Sequence, residues 1–462
     1  MALLTFSIVI ALSLALALFA ARGHGHASAK EFFIASGGFG GFLLFFLSVG
    51  ESYGIGTVIG LPGGIYAHGP ASMVWFLGYM LLGYCVGYFL NPWIWRAGRQ
   101  YDAITLPDLI RAHFNSRALE IIFGIFCLLI MLPVGQMQFT GLILALQSLD
   151  IHLPQWSVLG CAALLAFCYV AFAGIRAPAY VSVMKDGILL LSVIAVGGVA
   201  IWNLATGHVK PTAFHATSLD AHEQVFAITT IIMQAVAFNI APKSFTFLFT
   251  ARSDRTIRRN QILMPLHMLM FPVLIIATCF AKWSNIPVNS ANDVFMALAR
   301  ALFSPWLVGI VVAGAALSGL VLLAGLCIAI GPIMTRNLLK NLNEDQQRRG
   351  TRLTVAVYLL LSVAGASLSS QLVSHVINLY YAAQSQLIPV VLAFLFFRGI
   401  KGEAVVAGLI AGVIVSVGLM AWPLDLWGMN PGFIGVAVNM AVMVAGSMLM
   451  RTRAPLPVCL QK

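Results

Sequence analysis

The chain has 462 residues, of which 60% are hydrophobic and only 9% charged, with a mean hydropathy of +0.94 and a formal net charge of +11. This composition excludes a soluble globular domain and indicates a polytopic helical membrane protein, because each spanning helix needs about 20 mostly apolar residues. The basic excess could suggest a nucleic-acid partner, but its distribution along the chain is that of a membrane protein, so we expect no nucleic-acid binding.

Thirteen apolar segments are predicted to span the membrane as helices. They lie at 3–20, 33–66, 71–95, 119–148, 155–174, 180–203, 223–250, 261–281, 304–335, 353–372, 374–397, 403–422 and 432–450. The longest polar stretches, 204–222 and 336–352, are too short to bury a core of their own. Residues 1–462 are therefore predicted to form a single integral membrane domain.

If successive predicted spans cross the membrane in alternating directions, nearly all lysine and arginine residues of the connecting segments lie on one side of the membrane. The opposite side holds only Lys210, Lys282 and Arg300, and Lys185 and Lys243 lie at membrane depth, which leaves 21 of the 26 basic residues on the first side. The positive-inside rule places that side in the cytoplasm, with the amino terminus outside and the carboxyl terminus inside. We expect the chain to reside in the lipid bilayer of a bacterial inner membrane.

Residues 47–64 combine a glutamate with several glycines inside an otherwise apolar segment. Glycines at 50, 54, 56 and 60 disfavour a continuous helix, and broken backbone at membrane depth is tolerated only where it lines a cavity or binds a ligand. Glu51 adds an intramembrane charge, which is costly and usually functional. The segment is predicted to hold the binding site. The alternative is a glycine-rich surface that serves close helix packing alone.

A second interruption lies in the seventh predicted span, from Phe238 to Lys243 through Pro242. Two interrupted spans in one chain indicate a transporter site, where exposed backbone and half-helix ends bind ions and polar solutes. Residues at the two interruptions are therefore predicted to bind the substrate. They are Glu51, Ser52, Tyr53, Gly54, Gly56, Gln234, Asn239, Lys243 and, as a further candidate, Ser244. For Gln234 and Asn239 the alternative is interhelical hydrogen bonding alone.

Several motifs, in the expected order, carry a resemblance to a known family. They are GLPGG at 60–64 followed by IYAHG, Trp75, Arg96, ITLPDLIRAHF at 104–114, Asp186, SPWLVGI at 304–310, Thr335 and GEAVVAG at 402–408. Together they resemble the sodium/solute symporter family, which includes proline and pantothenate permeases.

The resemblance implies an all-α fold like that of the leucine transporter, with two five-helix repeats inverted in the membrane plane. The repeats would occupy 33–203 and 223–397. One extra amino-terminal helix would lie at 3–20 and two carboxy-terminal helices within 403–450.

The chain departs from this family in the ninth predicted span. Symporters of the family resemble one another in having adjacent hydroxyl residues there, which bind the coupling sodium together with backbone carbonyls of the second span. The corresponding positions hold Val321 and Leu322. Neither side chain can bind a hard cation, which takes several oxygen ligands. Ser318 lies about one helical turn earlier and could substitute only after a register shift.

Lys185 precedes the family-like Asp186, at a position where the family usually has threonine. Some proton-coupled relatives of this fold use a lysine in the corresponding helix in place of sodium, so the resemblance makes Lys185 a candidate surrogate ion. In the alternative, both residues lie at the cytoplasmic membrane edge and the lysine reaches water. Glu51 could carry a proton, pair with Lys185 or Lys243, or bind a substrate amine. Lys243 could equally neutralise Glu51 or bind a substrate carboxylate.

These observations predict a secondary transporter that imports a small polar organic solute, such as an amino acid or a monocarboxylate, by alternating access. Coupling is expected to be to protons or, alternatively, to sodium, through Glu51, Lys185, Asp186 and Ser318; no other cofactor and no resident metal is expected. The alternative function is a transporter-like sensor that binds such a solute and signals to a partner protein. An enzyme is not expected, since no catalytic cluster, nucleophile elbow or phosphate loop accompanies the spans.

Overall fold

The structure, a computed structural model, describes residues 1–22, 29–149, 154–211, 218–339, 342–368, 373–422, 424, 426–450 and 455–460. Within these residues the ordered backbone is helical and contains no β-strand beyond a single bridge between Phe39 and Ala251. The predicted all-helical class is confirmed.

Twenty α-helices follow one another in the described chain. They are α1 Ala2–Ala21, α2 Ala29–Ile34, α3 Gly41–Ser52, α4 Leu61–His68, α5 Val74–Gln100, α6 Leu106–Phe114, α7 Arg117–Gln147, α8 Gln155–Ala173, α9 Arg176–Ala205, α10 Ala221–Ala237, α11 Pro242–Phe249, α12 Asp254–His267, α13 Met270–Trp283, α14 Val294–Leu302, α15 Pro305–Pro332, α16 Glu344–Leu368, α17 Val373–Ser385, α18 Ile388–Phe396, α19 Gly402–Ala421 and α20 Pro431–Leu449.

Eleven helical segments of the described residues are long and apolar enough to cross a bilayer. Two further apolar segments, Gly41–Gly50 within α3 and Trp156–Val170 within α8, occupy the places of the second and fifth predicted spans. The multi-span architecture is therefore confirmed, whereas the number of thirteen spans stays a prediction. The repeat boundaries at 33–203 and 223–397 also stay predictions.

Helix α15 runs through the interior, and every residue from Val311 to Pro332 is buried. Small residues along it let other helices approach closely, as is typical of membrane proteins. A side chain at Gly309 would overlap the Ala2 carbonyl of α1, and one at Gly314 would lie 3.0 Å from Ile188 of α9. Helices α1 and α9 are thereby held against α15.

A buried polar network joins α6 to the start of α7 and to the π turn Ile333–Leu338 that follows α15. The Glu120 carboxylate, only 1% exposed, accepts hydrogen bonds from Arg117 at 2.6 Å and Asn337 at 2.8 Å, and lies 3.1 Å from Arg111. The Asn337 amide also donates to Asp108 at 2.6 Å. Because its hydrogen-bonding capacity is so fully used, this buried carboxylate can stabilise the junction of α6, α7 and the π turn.

Two spans are broken at the positions that the sequence predicts. Helix α3 ends at Ser52, Tyr53 has non-helical angles (φ −107°, ψ 71°), and a π turn over Gly56–Gly60 leads into α4. Helix α10 ends at Ala237 and is followed by a 3₁₀ turn, Phe238–Ile240, and an extended residue before α11. Both interruptions are confirmed. The prediction for Gly50 is corrected, because α3 continues through this glycine and the backbone breaks only after Ser52. A side chain at Gly50 would lie 2.7 Å from the Ser182 hydroxyl of α9, so this glycine allows the two helices to pack closely.

Candidate functional site

The polar backbone groups at the first break find partners on side chains. The Ser52 carbonyl accepts a hydrogen bond from the Thr57 hydroxyl at 3.2 Å, and the Ile55 amide donates to the Gln138 side-chain oxygen at 3.3 Å. The Tyr53 carbonyl accepts a hydrogen bond from Lys185 Nζ at 3.3 Å. These contacts meet the requirement that backbone groups at membrane depth be satisfied inside the protein.

A cavity of about 80 Å³ lies between the two broken spans. Five of the predicted substrate-binding residues line it: Ser52, Gly54, Gly56, Gln234 and Lys243. The other walls come from α5, α7, α15 and α17, chiefly Phe76, Tyr79, Met137, Leu322, Tyr380, Tyr381 and Gln384. One water molecule needs about 10–15 Å³ of cavity volume, so the cavity holds on the order of five to eight water-sized groups. It is large enough for a small organic solute.

Helices α10 and α17 meet at the cavity through two glutamines that bond across to each other's backbone. The Gln234 amide donates to the Tyr381 carbonyl at 3.0 Å, and the Gln384 amide donates to the Ala237 carbonyl. The Tyr79 and Tyr381 hydroxyls also bond each other at 2.7 Å. Sequence reasoning missed the two tyrosines and Gln384. The available signal for Gln384 was the polar run Gln384-Ser385-Gln386 inside an apolar span.

Tyr53 does not line this cavity, although the sequence predicts that it binds substrate. Its side chain is fully buried, its hydroxyl donates to the His267 carbonyl at 3.0 Å, and its ring packs on His267 and Phe271. Only its carbonyl faces the break, towards Lys185. Tyr53 therefore anchors the broken span to α12 and α13.

Asn239 and Ser244 line a second, smaller cavity of about 50 Å³, which shares Ser52 and Phe238 with the first. The Asn239 amide donates to the Gly83 carbonyl of α5 at 2.9 Å, the interhelical hydrogen bond that the sequence leaves open as the alternative. The Ser244 hydroxyl donates to the Phe238 carbonyl at 3.3 Å. The predicted substrate ligand Glu51 has a side chain that lies outside the described residues.

Lys185 lies in the interior of α9 with no exposed side-chain surface. Its Nζ lies 2.5 Å from Asp186 Oδ1 and donates to the Tyr53 carbonyl at the break. Asp186 is 2% exposed, and its Oδ2 has no hydrogen-bond donor in the part of the chain that the structure describes. The alternative in which the lysine reaches water at the membrane edge is wrong, because the side chain turns inward to the broken span.

Val321 and Leu322 both face the broken span. A side chain at Gly54 would lie 2.7 Å from Leu322 Cδ1, and one at Gly50 would lie 3.5 Å from Val321 Cγ1. Two apolar side chains thus stand beside the break where the resemblance implies hydroxyl ligands. The buried Ser318 hydroxyl donates to the Ala315 carbonyl of its own helix at 2.6 Å.

Solved transporter structures share this architecture. A substrate-bound, outward-open Na⁺-coupled sialic acid symporter matches with a TM-score of 0.78 at 13% identity, over 98% of this chain and 99% of that one. A nucleobase-cation-symport-1 family transporter, MHP1, in a closed conformation with bromovinylhydantoin bound, matches with a TM-score of 0.58 at 15% identity, over 91% and 95%. At these identities the likeness concerns the fold, which is the leucine-transporter-like fold that the resemblance implies.

Curated relatives are likewise transporters and cover nearly the whole chain. A monocarboxylate transport permease protein of Rhizobium johnstonii is 26% identical over 93% of this chain and 92% of its own length. A sodium/proline symporter of Staphylococcus aureus is 23% identical over 84% and 82%. The model of the sodium:solute symporter family matches residues 32–416. The chain is an integral membrane transporter, not an enzyme, and it belongs to the sodium:solute symporter family.

Proposed function

We propose that this transporter imports a small polar organic solute, an amino acid or a monocarboxylate, by alternating access and in symport with protons. The cavity between the two broken spans supports this proposal, because such paired breaks bind substrates in transporters of this fold. The relatives named for monocarboxylate and for proline support the size and polarity of the solute.

The observation that carries proton coupling is the position of Lys185. Its ammonium lies against the Tyr53 carbonyl of the broken span and beside Asp186, while Val321 and Leu322 bring no oxygen to the same break. A protonated lysine supplies a positive charge and hydrogen-bond donors to oxygens that would otherwise surround a bound cation. A lysine loses this positive charge when it releases its proton, while its side chain stays in place. Proton binding and release at Lys185 would then replace sodium binding and release.

Transport by the purified protein in proteoliposomes is expected to be unchanged when sodium is replaced by potassium or choline. A pH gradient, acid outside, is expected to accelerate uptake severalfold, because the external protons would charge the coupling group before substrate is released inside. Uptake of labelled amino acids and monocarboxylates under separately imposed proton and sodium gradients measures both effects. A steep dependence on external sodium would overturn proton coupling. Specific solute binding without any uptake would instead favour the sensor.

The orientation with the amino terminus outside and the carboxyl terminus in the cytoplasm is part of the same proposal. In a background without the seven native cysteines, a cysteine at Gln347 is expected to be protected from an impermeant thiol reagent in intact cells. A cysteine at Thr217, which lies outside the described residues, is expected to react. Both should react once the membrane is permeabilised. The reverse labelling pattern would contradict the orientation and the positive-inside assignment behind it.

A further inference from the structure

Proton release from Lys185, which the proposed coupling requires, needs a further acceptor between this side chain and water. The Lys185 side chain has no exposed surface, and Asp186 is 2% exposed. Neither residue lines the two cavities at the broken spans. Transfer of the proton to Asp186 would leave it in the same buried pair. The acceptor is therefore expected among other titratable side chains that contact the first break.

His267 contacts the same residue of the break that binds Lys185. Its ring packs on the Tyr53 ring with the centroids 3.9 Å apart, and its carbonyl accepts a hydrogen bond from the Tyr53 hydroxyl at 3.0 Å. The Tyr53 carbonyl accepts the Lys185 ammonium at 3.3 Å. The charge of Lys185 also acts on the imidazole electrostatically. Tyr53 thus brings the lysine and the histidine to one place in the membrane.

Both ring nitrogens of His267 are buried and have no hydrogen-bond partner in the part of the chain that the structure describes. A buried polar atom without a partner is destabilising, so this ring is suited to bind a proton or water. His267 is the last residue of α12, and the carbonyl end of a helix favours a positive charge. Its position can therefore hold the imidazolium that forms when the ring accepts a proton.

The other titratable groups around Tyr53 do not offer the same acceptor. Asp186 of α9 is already paired with the lysine, and Tyr84 of α5 carries a phenol, which keeps its proton at neutral pH. The Glu51 side chain lies outside the described residues. Among the described groups at this break, the His267 imidazole is the one that gains and loses a proton near neutral pH.

The second cavity, of about 50 Å³, offers a route onward from His267. Met264 lines it and lies three residues before His267, on the same face of α12. Asn91, Asn260 and Gln261 also line it, and their side-chain oxygens have no donor among the residues that the structure describes. Such buried oxygens bind water, and the volume has room for on the order of three to five water molecules.

We propose that His267 accepts the coupling proton from Lys185 and passes it to water in the second cavity. The first step breaks an N–H bond of the Lys185 ammonium and forms an N–H bond at an imidazole nitrogen, so the charge moves from lysine to histidine. A cavity water then accepts this proton, restores the neutral ring and carries the proton away as hydronium. Residues 254–259, at the start of α12, include three arginines and lie at the end that the proposed orientation places in the cytoplasm. This inference rests on the proposed proton symport and adds its exit route.

His267→Gln tests the relay, because a carboxamide keeps hydrogen-bonding groups but does not take up a proton near neutral pH. Proteoliposomes are assayed with labelled lactate, pyruvate, alanine and proline, both for net uptake driven by a pH gradient and for exchange against the same unlabelled solute inside. Lys185 can stay protonated during exchange, whereas net uptake requires proton release. We expect the ratio of net uptake to exchange to fall about tenfold or more, and the acceleration by external acid to be lost. A purely structural defect would lower both rates together.

His113→Gln is the matched control. His113 is also a buried histidine, but it lies on α6 and its Nδ1 bonds the Tyr101 hydroxyl at 3.3 Å. This variant is expected to keep the ratio of the unaltered protein. His267→Glu can again accept a proton and is expected to recover part of the net uptake. Gln261→Leu, which removes a water-binding oxygen from the second cavity, is expected to lower net uptake severalfold relative to exchange.

The outcomes separate the relay from the proposed function. An unchanged ratio in His267→Gln, with uptake by the unaltered protein driven by the pH gradient, would overturn the relay and leave proton symport standing. Loss of both rates in His267→Gln without recovery in His267→Glu would show a structural role and overturn the relay as well. Failure of the unaltered protein to concentrate any of the four solutes under a pH gradient would overturn both proposals.

Discussion

Replacing Lys185 by alanine is expected to abolish concentrative uptake, down to the level of vesicles without protein. The reason is the completely buried ammonium between Asp186 and the Tyr53 carbonyl of the broken span. If its charge stands in for the coupling ion, its removal leaves the break without a cation in every state of the cycle. The pH gradient then has no group through which to drive the solute. Uptake against a gradient, normalised to protein in the membrane, measures the effect.

Lys185→Arg distinguishes proton exchange from a purely structural charge. Arginine keeps the positive charge and the hydrogen-bond donors, but a guanidinium does not release its proton in a protein. We therefore expect Lys185→Arg to remain inactive in concentrative uptake. Lys282 offers a matched control, since it also donates to a main-chain carbonyl, at Tyr66, but is exposed. Lys282→Arg is expected to transport normally.

The alanine variant also leaves Asp186 buried without its partner, which is destabilising in itself. The double variant Lys185→Ala with Asp186→Asn removes both charges and guards against this complication. It is expected to reach the membrane and still fail to concentrate solute. An active arginine variant, together with dependence on external sodium, would show that other ligands bind the family's ion and that Lys185 only holds the helices together.

The sequence predicted the positions of both helix breaks because the residues that cause them act locally. Glycines around Gly54 remove side-chain support for a helix, and Pro242 removes a backbone donor. The apolar spans follow from composition in the same way. The number of spans does not follow from composition in the same way, since α3 has only 12 residues and its length alone does not decide whether it crosses the membrane.

The directions in which side chains around the breaks point could not be predicted from the sequence, because they depend on contacts between helices. Tyr53 follows Ser52 in the chain, yet the unwound backbone turns its ring to His267 while Ser52 lines the cavity. Gln384 reaches the cavity because α17 faces the second break, and the polar run Gln384-Ser385-Gln386 does not by itself specify that tertiary contact. The inward turn of Lys185 likewise depends on the unpaired carbonyl that the break creates at Tyr53. Pairwise contacts across the fold decided these positions.

Replacing Gly54 by valine is expected to abolish transport while leaving the protein in the membrane. A Cβ at this position would lie 2.7 Å from Leu322 Cδ1 and 3.1 Å from Gln138 Oε1. Gln138 cannot move away freely, because the same oxygen accepts the Ile55 amide at the break. The β-branched side chain would therefore displace the Leu322 side chain and narrow the cavity, at about 1–3 kcal/mol of overpacking.

Gly56→Val is expected to have the same direction of effect, but its nearest neighbour is the flexible thioether of Met137, at 3.2 Å. Methionine can adapt to added bulk, so a residual rate is more readily retained there than in Gly54→Val. Gly198→Val is the control, because Gly198 is exposed on α9 and a side chain would meet nothing within 4 Å. Initial uptake rates normalised to membrane protein measure all three. Both glycines line the cavity of about 80 Å³, so a valine side chain at either position would occupy space that a bound substrate needs. Normal uptake by both Gly54→Val and Gly56→Val would therefore show that the substrate does not bind at the first break.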